Sequence, residues 1–286
     1  KAIAPEDSGE NAAILRVKTR ERRSNNRADG KPLLRTIHHL ACTGGTVICK
    51  CLAAMPDTAL LSEVNPFNRY SRGFEPSNPL LLLEMSHRKL SISEIIEDFT
   101  NKISYAHEIC RRDDVDLIIR DHSHTDFCTG THPSLACPVI DYLASDFDLV
   151  SVVTVRNPLD SFLSLLSQGW EKQFSPSTLQ EYSHRYLAFL DRYTSLPIFR
   201  YEDFCMNPEA FLASLCDTLD ISFSAEFIHK FGSVRLSGDS GRTGTNLIEL
   251  RQRREIPDGL RGEIKSSESY LELLDRLGYA PEATLG

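Results

Sequence analysis

The segment Cys42-Thr43-Gly44-Gly45-Thr46 has the make-up of an anion cradle. Paired glycines let a chain curl until successive backbone N–H groups point inward, and a helix starting there adds its positive end. Thr43 and Thr46 add hydroxyl donors. The segment lacks the Gly-Lys-[Ser/Thr] ending of a Walker A loop, so no loop lysine is at hand for a β- or γ-phosphate. A tight glycine turn that serves packing alone explains the same residues.

A second candidate is Arg156-Asn157-Pro158, which follows the valine-rich run Val150–Val155 and has Ser164 eight residues beyond the arginine. An arginine at a strand end stands where α/β folds place ligands, and its planar fork suits a phosphate. The plainer reading is an ion pair across the sheet edge, with Asp160 supporting the helix start. Two groups could take a proton near neutral pH: His122, after Arg120-Asp121, and Glu63, after Leu61-Ser62. A capping histidine and an arginine-paired carboxylate are their plain alternatives.

These residues need elements to hold them. The pattern predicts strands over Leu33–Ala41, Thr58–Glu63, Val115–Arg120, Phe147–Val155 and Pro197–Tyr201. Helices are expected over Val47–Ala54, Ser91–Arg112, Pro158–Ser167, Ser177–Arg192 and Pro208–Leu219. In the second of these, apolar residues at 92, 95, 96, 99, 103, 106 and 109 follow a helical period. Strand alternating with helix is the signature of a three-layer α/β fold, a central parallel sheet with helices on both faces. One domain over 33–286 suffices, preceded by a basic arm at 1–32. Loops are expected at Asn65–Lys89 and between Ser123 and Asp146, where they would shape an acceptor pocket.

The 286 residues bury about 75% of the unfolded surface, enough for a sizeable core. Hydrophobic residues at 41% and charged residues at 25% are ordinary globular values. With 40 acidic against 32 basic residues the net charge is −8, which argues against a nucleic-acid coat. It does not bear on a small anionic ligand, which needs only a local cluster of donors. No apolar run reaches transmembrane length. The eight cysteines follow no CxxC pairing and read as reduced thiols of a cytoplasmic protein; a Golgi lumenal domain without its anchor would look similar.

Taken together, the two candidate segments resemble the sulfotransferases that use 3′-phosphoadenosine-5′-phosphosulfate (PAPS), a family with a modified P-loop and an Arg-x-Pro…Ser segment. Two further segments extend the likeness. Phe199-Arg200-Tyr201-Glu202-Asp203-Phe204 resembles the family's strand-end YED segment, and Leu236-Ser237-Gly238-Asp239-Ser240-Gly241-Arg242 its late loop in bacterial members. The likeness spans roughly residues 33–245.

The resemblance implies a P-loop-like fold with strand order 2-3-1-4-5 and transfer of a sulfuryl group from PAPS to an acceptor hydroxyl or amine. It implies that Thr43, Gly44, Gly45 and Thr46 hold the 5′-phosphosulfate, Arg156 and Ser164 the 3′-phosphate, and Tyr201 the adenosine, with Arg242 closing on the nucleotide. Many members carry Lys or Arg where this chain has Cys42; Arg120, which matches a basic residue of the cytosolic branch, could substitute. His122 matches the catalytic histidine of that branch, and Glu63 the catalytic glutamate of the heparan-type enzymes. His122 is slightly favoured, because imidazole ordinarily titrates at about 6.5. No metal is required.

Other readings stay open. A nucleotide or sugar kinase is opposed by the missing Walker lysine, and a non-catalytic nucleotide-binding module is favoured by Cys42. His122, His124, Cys128, His132 and Cys137 include zinc-type donors, but at no standard finger spacing, and His122 and His124 at period two share a strand face. Trp170 reads as a core aromatic before a pocket wall. Arg251-Gln252-Arg253-Arg254 reads as a solvated helix face before a grip on an anionic substrate.

Overall fold

The computed structural model describes residues 30–67, 80, 82–83, 86, 89–134, 136–238 and 247–281. Nearly all of the expected basic arm, most of the expected 65–89 loop, and Arg242 lie outside these residues.

In chain order the elements are β1 (Leu33–His38), α1 (Gly45–Ala53), β2 (Thr58–Val64), α2 (Ile92–Arg112), β3 (Asp116–Asp121), α3 (Ser123–Phe127), α4 (Pro138–Leu143), β4 (Asp148–Val155), α5 (Pro158–Leu166), α6 (Leu179–Arg192), β5 (Ile198–Arg200), α7 (Tyr201–Met206), α8 (Pro208–Thr218), α9 (Phe227–Lys230), α10 (Asp258–Ser266) and α11 (Glu268–Leu277). The five strands form one parallel sheet in the order β2-β3-β1-β4-β5, the order expected above.

Strand alternation explains why helices cover both faces. Ile37, Ile118 and Val152 point into a core shared with α1, α8 and α9. Leu34, Leu117 and Ile119 point the other way, onto Phe99 and Ile103 of α2 and Val139 and Leu143 of α4. Beyond them Val153 and Val155 pack against α5, α6, α10 and α11. Covered on both sides, β1 and most of β3 and β4 are buried.

Local chemistry sets the helix starts. Ser91 and Glu94 form a reciprocal capping box at α2. Asn157 caps α5 by accepting from the N–H groups of Leu159 and Asp160, with Pro158 at the tolerated first position.

Four expectations are corrected. The 123–146 stretch is not one long loop, since α3 and α4 lie within it. The chain turns into α3 directly after Asp121, so His122 and His124 do not share a strand face; His122 is the residue before the helix and His124 lies within it. Tyr201 opens α7 rather than ending β5. Residues 251–254 lie outside any helix. Trp170 packs half-buried against the α5–α6 core, as a core aromatic should.

Candidate active site

The β1–α1 connection is the pivot of the site. Gly44, in the left-handed region at φ 85°, precedes α1 and offers its carbonyl to Val47 and Ile48. The ring of Tyr201 lies so close to Gly44 that a Cβ there would overlap it. A Cβ on Gly45 would overlap the ring of His39. Each glycine therefore admits a ring, the packing role open to a tight glycine turn. Thr43 is fully buried and donates its hydroxyl to the Leu40 carbonyl at 2.8 Å within the turn.

On one side of the loop stands Arg120, at 5% exposure. Its Nε donates to His39 Nε2 at 2.8 Å, its Nη1 to Ser62 Oγ at 2.9 Å, and its Nη2 to Thr46 Oγ1 at 3.0 Å. Glu63 Oε1 is 3.8 Å from Nη2. Because the Thr46 hydroxyl accepts from Arg120, its own proton is left for another acceptor. Arg120, Thr46 and Glu63 thus form one group of chemistry-bearing side chains.

Glu63 is held unusually. It sits at φ 56° where the β2–β3 register shifts between Leu61 and Val64. The Gly238 backbone lies directly against its carboxylate. Ser62 Oγ donates to the Ser237 carbonyl at 2.8 Å, and Ser237 Oγ donates back to the Ser62 carbonyl. A non-glycine residue at positive φ costs of order 1–3 kcal/mol and persists only where its surroundings hold it. His122 stands at the neighbouring strand end: its N–H donates to the Val64 carbonyl at 3.1 Å, and its Nδ1 is 3.2 Å from Thr125 Oγ1. It is half-buried.

On the other side stands Arg156, just past β4. Its Nη1 donates to the Cys42 carbonyl at 3.3 Å, and its guanidinium carbon is 5.1 Å from the Tyr201 ring centroid. Its Nε is buried with no partner among the described residues. Burial pushes the Tyr201 hydroxyl up, while the charges of Arg156 and Arg251 pull against that. Arg251 thus joins Arg156 in its influence on Tyr201. Arg253, two residues on, donates from Nε to Asp160 Oδ1 at 2.6 Å. Ser164 lies on the buried face of α5 at 4% exposure.

Three supports were missed from sequence. Glu202 accepts from the Asn157 N–H at 2.9 Å and from the Tyr279 hydroxyl at 2.7 Å, bracing the residue after Arg156. Asp121 is the centre of a buried network, accepting from Ser123 at 2.8 Å and Tyr193 at 3.0 Å and pairing with His38 at 2.9 Å. Arg185 donates to the carbonyls of Phe127, Thr129 and Gly130, fixing the chain that leaves α3. The acidic first turn of α7, Glu202-Asp203, was the one available signal of these, since acidic residues favour helix starts.

The possible zinc donors do not gather. His124 accepts from the Ala41 N–H at 3.4 Å, and burial pulls its pKa down to about 3. Burial pushes Cys128 and Cys137 each up to about 12, so both are held as thiols. Among the described residues no three His, Cys, Asp or Glu side chains form a metal cage. The eight cysteines are all free. No described helix is long and apolar enough to cross a membrane.

Among solved structures, the sulfotransferase domain from the curacin biosynthetic pathway matches with a TM-score of 0.54, over 88% of this chain and 99% of that one, at 14% identity. The chain has the sulfotransferase fold. The sulfotransferase domain from the Synechococcus PCC 7002 olefin synthase matches with a TM-score of 0.52, over 87% of this chain and 96% of that one, also at 14% identity. No protein-family model and no curated protein matches the sequence. Within the sulfotransferase fold, the residues described above lie at the carboxyl ends of the five strands, with Glu63 from β2 and Tyr201 just after β5, where open α/β sheets bind ligands.

Proposed function

We propose that the protein transfers a sulfuryl group from PAPS to an acceptor hydroxyl or amine. One observation carries the reading: two arginines from different strand ends, Arg120 and Arg156, flank a single glycine loop and contact Thr46 and the Cys42 carbonyl. A bis-anionic nucleotide lying along that loop would meet a cation at each end.

The donor set fits such a ligand. The Nε of Arg156, buried and without a partner among the described residues, and the Tyr201 ring beside it suit a nucleotide bearing a phosphate on its ribose. When bound, PAPS supplies the activated sulfuryl group. The Gly44 and Gly45 amides and the Thr46 hydroxyl would bind its 5′ end, and Arg156, with Ser164, the 3′-phosphate. Arg242 is proposed to close over the nucleotide. Arg120 would take the part a loop cation takes elsewhere, countering charge on the oxygen between sulfur and phosphorus. Catalysis is then positioning plus electrostatics, as in phosphoryl transfer, and losing one such donor costs about 2.7–4 kcal/mol of barrier.

The acceptor's proton needs a base, and His122 and Glu63 both remain candidates. Glu63 lies beside Arg120, so its carboxylate also reads as an ion-pair partner. The decisive experiment is calorimetric titration with PAP followed by incubation of labelled PAPS with fractionated host extract. PAP binding together with a labelled product is the expected result. ATP turnover with magnesium in place of sulfate transfer would favour a kinase.

A further inference from the structure

His39 is buried beneath the loop at 5% exposure, and its two ring nitrogens face partners of opposite kind. Nδ1 is 3.0 Å from the Leu40 carbonyl, which can only accept. Nε2 is 2.8 Å from Arg120 Nε, which can only donate. The tautomer is therefore fixed: Nδ1 carries the hydrogen and the Nε2 lone pair receives the arginine. Burial, with the Arg120 charge adding to it, holds the imidazole pKa well below its ordinary value, so the ring is neutral. That excludes His39 as a proton acceptor for substrate, since its lone pair is occupied and its ring is enclosed.

We infer that His39 is a positioning residue that fixes the Arg120 guanidinium and turns its Nη2 toward Thr46 and the reacting group. The inference rests on the reading of Arg120 as the cation of the transfer site. Arginine has a long, rotatable stem, and one hydrogen bond from Nη2 to Thr46 would not fix its plane. His39 supplies the second constraint, at Nε. Ser62 supplies a third at Nη1. The ring's contact with Gly45 then couples the loop backbone to the arginine plane, so loop and cation are set as one unit. The sheet register enforces the meeting. Ile37 pairs with Arg120, which places His38 beside Asp121 and brings His39 to the end of β3.

The test uses the full chain. With arginine and histidine selectively labelled with ¹⁵N, a ¹⁵N–¹⁵N coupling across the hydrogen bond should link Arg120 Nε to an unprotonated His39 Nε2. A protonated Nε2, or no coupling in a spectrum where the Arg120 Nε–H is resolved, overturns the inference whatever the protein's activity. His39→Leu should bind PAP within about twofold of wild type yet lose roughly 10–100-fold in transfer rate at saturating labelled PAPS. His39→Gln, whose carbonyl oxygen can accept from the same N–H, should recover most of that rate. Full transfer rate in His39→Leu overturns the positioning role. Loss of the rate in Arg120→Met with His39→Leu unaffected would leave the parent reading intact and overturn this one alone.

Discussion

The Asn157 N–H donates to Glu202 Oε1 at 2.9 Å, joining the start of α5 to the start of α7. The same carboxylate accepts the Tyr279 hydroxyl from the residue pair that follows α11. The backbone just after Arg156 is therefore held by a carboxylate from the first turn of α7. Glu202→Ala would leave a partly buried N–H without a partner, at about 1–3 kcal/mol. Thermal unfolding should register that loss, and calorimetry should show weaker PAP binding. Glu202→Gln, which keeps an acceptor, should lose less of both. Equal losses in the two variants would sink this account.

Arg156 and Arg120 should fail in different ways. Arg156→Ala is expected to weaken PAP binding by tenfold or more, since a charge-assisted hydrogen bond contributes roughly 1.5–3 kcal/mol. Arg120→Met should leave PAP binding closer to wild type while abolishing most transfer. Calorimetry and initial rates with labelled PAPS separate the two. Unchanged PAP affinity in Arg156→Ala would reject the nucleotide assignment.

The base is decided by a pair of variants. If His122 takes the acceptor's proton, His122→Ala should lower turnover with little change in PAP affinity, typically by 10²–10⁴-fold for a general base. Glu63→Gln should then change the rate far less. The reverse pattern assigns the base to Glu63, and full rate in both variants would exclude the two residues together.

Gly44→Ala is expected to be severe. The residue sits at φ 85° with the Tyr201 ring against it. Left-handed strain of about 1–2 kcal/mol adds to the steric overlap. The double change Gly44→Ala with Tyr201→Ala should recover stability by relieving the overlap, but not nucleotide binding. Additive losses in denaturant titrations would mean that the ring contact is unimportant.

Burial, with the Asp121 charge adding to it and the Asn65 amide opposing, pushes the Asp126 carboxyl up to about 7. An unfolded aspartate titrates at about 3.9, so between about pH 4 and 7 the folded state holds a proton that the unfolded chain has released. Stability from this group is complete below about pH 4 and is lost as pH rises through 7. His124, held down to about 3 by burial, acts in the opposite sense, weakening the fold as pH falls below about 6.5. Asp126→Asn should remove the alkaline-side decline and leave the acid-side one. Urea midpoints from pH 4 to 8 would show this; parallel curves for variant and wild type would refute it.

What could be read in advance depended on the range of the interaction. The valine-rich run of β4, the period of α2 and the Asn157-Pro158 start of α5 are local signals, and each element formed where expected. The strand order came from family likeness rather than from pattern. Helix α7 was missed because Phe199-Arg200-Tyr201 reads as a strand until the acidic first turn after it is weighed. The grouping of Arg120 and Thr46 was legible only as two separate candidates, since what joins them is a hydrogen bond between residues 74 positions apart. The inward turn of the Thr43 hydroxyl could not be foreseen at all. Nothing in a threonine's neighbours says whether its hydroxyl will close a turn or face a ligand.

The distortion at Glu63 also bears on the edge of the sheet. β2 is an outer strand of the sheet, and such a strand offers unpaired amides and carbonyls to any other chain. Here the irregular register at Leu61–Val64 breaks that regular row, and Ser237 covers part of it by exchanging hydrogen bonds with Ser62. Relaxing Glu63 into ordinary extended backbone would straighten the rim of the sheet and remove its guard. The bend at Glu63 thereby also guards the rim of the sheet against edge-to-edge pairing with another chain.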